Sequence, residues 1–210
     1  MTYSILIVII VVGGVSVGLL AGNVIDHSSS SGTSGQSVYS LELVVQHGIH
    51  FNSSVGNQPA FFVLQNGTLV NSSFIYIPAN TLIDLTVICY DNGPSTLENA
   101  SYANVSGTVG GYEYVFNSTN PAGLNQSKTV STYFTKAKSL NASNVAHTFT
   151  IPQLNLNIPL EPLSTTFAQF YANQTGSFLW QCFAECGSGP LAENGAMETP
   201  GWMMGTVVVT

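Results

Sequence analysis

The chain has 210 residues, of which 6% are charged, against roughly a quarter in ordinary globular domains, and its formal net charge is −7. The only basic residues are Lys128, Lys136 and Lys138; without arginine or a basic cluster the chain cannot neutralise a phosphate backbone, which excludes nucleic acid as a partner. The length gives room for one domain of ordinary size and a membrane segment, not for two full domains. There is also no Gly-x-Ser-x-Gly elbow, no His-Glu-x-x-His, no phosphate-binding glycine loop and no clustered acid pair, so hydrolytic chemistry finds no support. Polarity comes from Asn, Ser, Thr and Gln. A surface solvated by amides and hydroxyls changes little when carboxylates protonate, so the composition predicts tolerance of acid.

Taken in order, residues 3–25 carry no charge and are mostly Ile, Val, Leu and Gly. At about 1.5 Å per residue such a run crosses a hydrocarbon core of about 30 Å. A cleaved signal peptide is the alternative, but nothing before Tyr3 is basic and the apolar run is long for one. The expectation is an uncleaved single-pass anchor over 1–26 and a flexible Ser/Gly-rich tether over 27–36. Nine Asn-x-Ser/Thr sequons follow, at Asn52, Asn66, Asn71, Asn99, Asn104, Asn117, Asn125, Asn141 and Asn173. Their number after a membrane segment points to a glycosylated domain outside the cytoplasm, so the protein is expected in the cell membrane with its C-terminal part extracytoplasmic.

From residue 37 onward the pattern is β. Candidate strands cover 37–45, 60–64, 69–77, 82–90, 129–134, 147–151, 165–172, 177–182 and 205–210, short runs rich in Val, Ile, Phe, Tyr and Thr between Gly, Pro, Asn and Asp. Many short strands with turn signals between them mean an all-β sandwich or barrel over 37–210. The Gly/Asn/Ser-rich run at about 91–128 breaks the rhythm and reads as a loop insertion crossing one end, with a hairpin around 112–116.

Sulfur gathers at the C-terminal end: Ser177-Phe-Leu-Trp-Gln-Cys182-Phe-Ala-Glu-Cys186-Gly, then Met197, then Gly201-Trp202-Met203-Met204 leading into the last strand. Soft sulfur donors between two final strands suit copper. A small disulfide between Cys182 and Cys186 fits the same spacing in an oxidising compartment. Upstream, His147 opens a strand, and a Pro-bounded loop and one further strand separate it from Cys182. His47 and His50 after the first strand form a His-x-x-His pair, read mainly as exposed loop histidines and secondarily as a metal site. Alternation places Cys89 with Leu85 and Val87 on a core face, buried and inert. Met203 and Met204 read as packing, since neighbouring strand residues face opposite ways, and Trp180 and Trp202 as core or loop-packing aromatics.

This order of histidine strand, spacer strand, cysteine strand, sulfur-bearing loop and last strand resembles the cupredoxin family. More narrowly it resembles the extracytoplasmic domain of subunit II of haem-copper oxidases, both cytochrome and quinol types, and related membrane-anchored blue copper proteins. The resemblance covers roughly residues 82–210 and is tightest around His147 and over 182–209. It implies a Greek-key β-sandwich with copper bound by His147, Cys182, Cys186 and a loop methionine, most simply Met197, as a mononuclear or a binuclear centre. It further implies an electron carrier that transforms no substrate alone, working as a subunit of, or donor to, a respiratory terminal oxidase. Its partners would be haem-containing oxidase subunits or another redox protein. The chain departs from the pattern in one respect: between Cys182 and Thr210 there is no histidine. The resemblance therefore also admits a copper-free docking subunit with a Cys182–Cys186 disulfide, and the sequons admit a glycosylated surface or filament protein.

Overall fold

The computed structural model describes residues 37–117, 134–187 and 195–210. The expected anchor and tether lie outside these, as does nearly all of the strand expected at 129–134. Among the described residues no helix is long and apolar enough to cross a membrane. The strands are β1 Val38–Asn52, β2 Gly56–Gln65, β3 Thr68–Asn71, β4 Phe74–Ile77, β5 Leu82–Cys89, β6 Thr96–Leu97, β7 Glu113–Asn117, β8 Thr135–Ala137, β9 His147–Ile151, β10 Leu156–Leu160, β11 Ser164–Tyr171, β12 Gly176–Gln181, β13 Ala184–Glu185 and β14 Met204–Val209. Among the described residues the only helical pieces between them are short 3-10 turns.

A seven-stranded sheet runs β3-β2-β1-β5-β11-β7-β8, a five-stranded sheet runs β10-β9-β12-β14-β4, and β13 pairs with β6 in a two-stranded ribbon. The two large sheets bury their facing sides against each other, through alternating strands such as β1, β5 and β14 and through β9 and β10, which are buried at every position. Leu41, Leu43 and Val45 of β1, Ile83, Leu85, Val87 and Cys89 of β5, and Val207 and Val209 of β14 turn inward. Trp180, Phe61, Phe149 and Phe170 are fully buried and give the core most of its bulk. Close packing also fixes Gly205: a Cβ there would lie 2.5 Å from Trp180 Nε1 and 2.6 Å from the Ser72 carbonyl.

Several expectations are corrected in detail. The run 69–77 is two strands in different sheets, since Asn71 of β3 pairs with Phe62 while Phe74 of β4 pairs with Thr206. Ser72, fully buried, makes the crossing with its hydroxyl donating to the Phe61 carbonyl at 2.7 Å. The Pro-bounded stretch after His147 is not a loop, because it contains β10, paired antiparallel with β9 through Leu160 and His147. Pro159 is tolerated there because β10 is an edge strand, where one N–H need not reach a neighbour. The insertion does not merely cross one end: β7 joins β11 and β8 and widens the larger sheet. β1 runs on past Val45, so His47 and His50 sit on its irregular, exposed extension rather than in a loop.

Glu113 at the start of β7 is fully buried, and neither carboxyl oxygen has a hydrogen-bond partner among the described residues. Burial, with the charge of Glu161 adding to it, holds this carboxyl well above the usual range near 4.5. A carboxyl raised on folding contributes stability that is fully present below its unfolded pKa and is lost as pH rises from there. The loss runs at about 1.4 kcal/mol per pH unit until the folded value is passed. Glu113→Gln is therefore expected to stabilise the protein at pH 7 and to have no such advantage at about pH 4. Urea unfolding at the two pH values checks this, and equal effects at both would contradict it. The buried carboxyl adds a second reason, beyond composition, for stability in acid.

Candidate metal centre

Three strand ends meet at one pole of the sandwich. His147 opens β9 with its neighbours Val145 and Ala146 fully buried, and its ring is itself without solvent exposure. Cys182 follows directly on β12, where its N–H donates to the Met203 carbonyl at 2.8 Å. The chain then turns back: β13 pairs with β6 through Ala184–Leu97 and Glu185–Thr96. A tight turn, with Cys186 N–H donating to Ala184 O at 2.8 Å, brings the second thiol inward. The two cysteines are free thiols buried at 0% and 2% exposure.

Cys182 Sγ and Cys186 Sγ are 3.0 Å apart, and His147 Nδ1 lies 3.0 Å from Cys186 Sγ and 4.0 Å from Cys182 Sγ. The three ligand atoms all fall within 4.8 Å of one another. The Thr148 N–H donates to Cys182 Sγ at 3.3 Å, and the Cys186 thiol donates to Ala184 O at 2.9 Å. Three of the four residues singled out in the sequence are thus brought together, from positions up to 39 apart in the chain. The fourth, Met197, lies on the 3-10 turn Ala196–Glu198, half-buried against the same core. Met203 N–H donates to Ala196 O at 3.1 Å and Met203 O accepts from Cys182 N–H, so two backbone bonds tie the methionine's turn to the cysteine strand.

The residue that sequence reading missed is Asp91. It opens the run that read as a loop insertion, yet its Oδ2 lies 3.0 Å from His147 Nε2. Asp91 Oδ1 accepts from Gly93 N–H at 3.3 Å, and its carbonyl accepts from Leu163 N–H at 2.8 Å. Spacing offers no signal for a pair 56 residues apart. The one hint available is local: in a chain with ten acids, this one directly follows a core strand.

The electrostatics are those of a buried proton-sharing cluster. Burial alone would lower the His147 pKa, but the hydrogen bond to Asp91 and the neighbouring Cys182 raise it to about 9. Burial alone would raise the Cys182 thiol; hydrogen bonds from Cys186 and His147, the imidazolium charge and the Thr148 N–H hold it well below its ordinary value. Cys186 is pushed well above, by burial and then by the Cys182 thiolate. Asp91 is held low by His147 against its own burial.

Elsewhere the sequence reading holds. Cys89 is buried, and burial pushes its thiol to about 12, consistent with an inert core residue. Met203 is buried and Met204 half-exposed, as alternation requires. His47 is exposed, its Nδ1 3.1 Å from the Tyr90 carbonyl, and His50 is exposed as well. Trp202 packs edge-on against Phe51 with ring centroids 4.6 Å apart.

No family model and no curated protein matches this chain. Among solved structures it is similar to the periplasmic domain of subunit II of cytochrome oxidase from Bradyrhizobium japonicum. The TM-score there is 0.34 at 12% identity, covering 81% of this chain and 83% of that one. It is similar to rusticyanin from Thiobacillus ferrooxidans, with TM-score 0.30, 12% identity, and 87% and 85% coverage. It is also similar to a multi-copper oxidase from Pediococcus acidilactici, with TM-score 0.33 and 8% identity, covering 87% of this chain and 28% of that one. These neighbours are cupredoxin-fold proteins; at such scores nothing about this chain's chemistry follows from them, and the chemistry rests on its own residues.

Proposed function

We propose that His147, Cys182 and Cys186 hold copper, with Met197 as a weak thioether ligand, and that the protein is an extracytoplasmic electron carrier. It is anchored by residues 1–26 and serves as a subunit of, or electron donor to, a respiratory terminal oxidase. The observation that carries the copper reading is the convergence of two thiols and an imidazole nitrogen within 4.8 Å at a pole closed to water. Thiolate and imidazole are the donors that select copper over hard cations. Copper bound there would supply one-electron transfer between its two oxidation states.

The chain's own part is to keep the donor atoms in place while charge changes. Cys182 is fixed through its main-chain bond to Met203 and through Thr148 N–H, and Cys186 through the tight turn on Ala184. His147 is fixed from the far side of its ring by Asp91. Donors pinned by backbone bonds rearrange little between oxidation states, and little rearrangement makes transfer fast. Burial keeps water from competing for the site.

Loading the full-length protein with copper tests the proposal. A strong visible thiolate-to-copper absorption is the expected result. A colourless protein in which Cys182 and Cys186 are oxidised to each other would replace it with the second reading, a copper-free docking subunit, for which the absence of a histidine after Cys182 speaks.

A further inference from the structure

We infer that Asp91 is a positioning residue, which holds the His147 ring through Nε2–H so that Nδ1 faces the two cysteines. The inference rests on the copper reading for its purpose but not for its geometry. An imidazole has two polar ring atoms, and a buried ring must satisfy both or bear the desolvation cost of the orphan. His147 has no solvent exposure, so both partners must come from protein. The structure supplies one on each side: Asp91 Oδ2 at 3.0 Å from Nε2 and Cys186 Sγ at 3.0 Å from Nδ1.

An ionised carboxylate only accepts, so the proton between Asp91 and His147 belongs to Nε2. That leaves Nδ1 as the atom free to release its own proton and ligate. Turning the ring over would place carbon against both the carboxylate and the sulfurs. Asp91 can impose this because it is itself held, by Gly93 N–H at its other oxygen and by Leu163 N–H at its carbonyl. A ligating histidine commonly donates its second ring N–H to a carboxylate, which sets the ring's orientation and strengthens the nitrogen as a donor. A stronger donor favours the more highly charged metal ion, so Asp91 also lowers the reduction potential of the centre.

Full-length Asp91→Ala and Asp91→Asn variants test this in two independent readouts. In the metal-free protein, long-range 1H–15N correlation spectra of the histidine rings are expected to show a slowly exchanging Nε2–H for His147 in the wild type. The same resonance is expected in Asp91→Asn, whose side-chain oxygen still accepts, and it is expected to vanish in Asp91→Ala. With copper added, Asp91→Ala is expected to bind about 10- to 100-fold more weakly. Asp91→Asn should recover most of that affinity while its reduction potential rises, because the charge is gone and the hydrogen bond is not.

An unchanged Nε2–H signal in Asp91→Ala, or an unchanged potential in Asp91→Asn, would overturn the assignment. Should Asp91→Ala not fold, the potential and ring spectrum of Asp91→Asn decide. Should the wild type take up no copper while Asp91→Ala still loses the Nε2–H signal, the positioning role stands and the copper reading falls.

Discussion

Cys182→Ser is expected to leave the copper-loaded protein without its visible thiolate absorption while the sandwich stays folded. Three things change at once. The soft sulfur is replaced by a hard hydroxyl oxygen, a poor copper donor that stays protonated at neutral pH. The 3.0 Å contact with Cys186 and the bond accepted from Thr148 N–H are weakened or lost. The low-lying thiolate, which hydrogen bonds from Cys186 and His147 stabilise, no longer exists. The fold survives because the strand end is held by the Cys182 main chain, whose N–H bonds to Met203 O at 2.8 Å and does not depend on the side chain. Absorption spectra beside far-ultraviolet circular dichroism check both halves; a retained charge-transfer band would refute Cys182 as a ligand.

The largest stability effect is expected from Trp180→Ala, a loss of about 3–5 kcal/mol. Trp180 is fully buried on β12, with its ring 5.1 Å from Phe61 and 5.6 Å from Phe149, centroid to centroid. Phe61 belongs to the larger sheet and Phe149 to the smaller, so these three rings join the two layers. Removing the indole leaves a cavity between layers that close packing cannot easily refill. It also strips the Ser72 carbonyl, in the crossing between β3 and β4, of the Nε1–H bond at 3.1 Å. The melting temperature should fall by about 6–20 °C, at about 2–4 °C per kcal/mol for a domain of this size. A loss below about 1 kcal/mol in urea unfolding would mean that this junction is not what holds the sheets together.

The alternation of β-branched and aromatic residues made most of the strands legible. His147–Ile151 falls where the pattern places it, and β5, β11, β12 and β14 are within a residue or two. The core roles of Cys89 and Met203 followed from the same period of two. What period alone could not show is which sheet a strand joins. The run 69–77 reads as one strand because Ser72, which carries the chain between layers, is a small polar residue like any turn residue. Strand β10 was hidden by Pro159, which is permitted only because the strand lies at an edge, a fact of topology rather than of sequence.

The site divides along the same line. Cys182 and Cys186 were legible because they are local to each other, and His147 because it opens a readable strand. Asp91 was not, because its partner lies on a different sheet and nothing in a short acidic turn says what the carboxylate will meet. Glu113 likewise did not stand out within the hairpin expected around 112–116, and the pairing of β7 with β11 and β8 places it in the buried sheet.

The most direct test of copper at this pole is the electron paramagnetic resonance spectrum of the copper-loaded full-length protein, taken with a count of free thiols in the metal-free sample. Copper held by His147, Cys182 and Cys186 predicts narrow hyperfine lines from a thiolate-bound ion, or a seven-line pattern if two coppers share the cysteines, with all three cysteines free before loading. Broad lines of ordinary surface copper, with Cys182 and Cys186 found joined to each other, would contradict it.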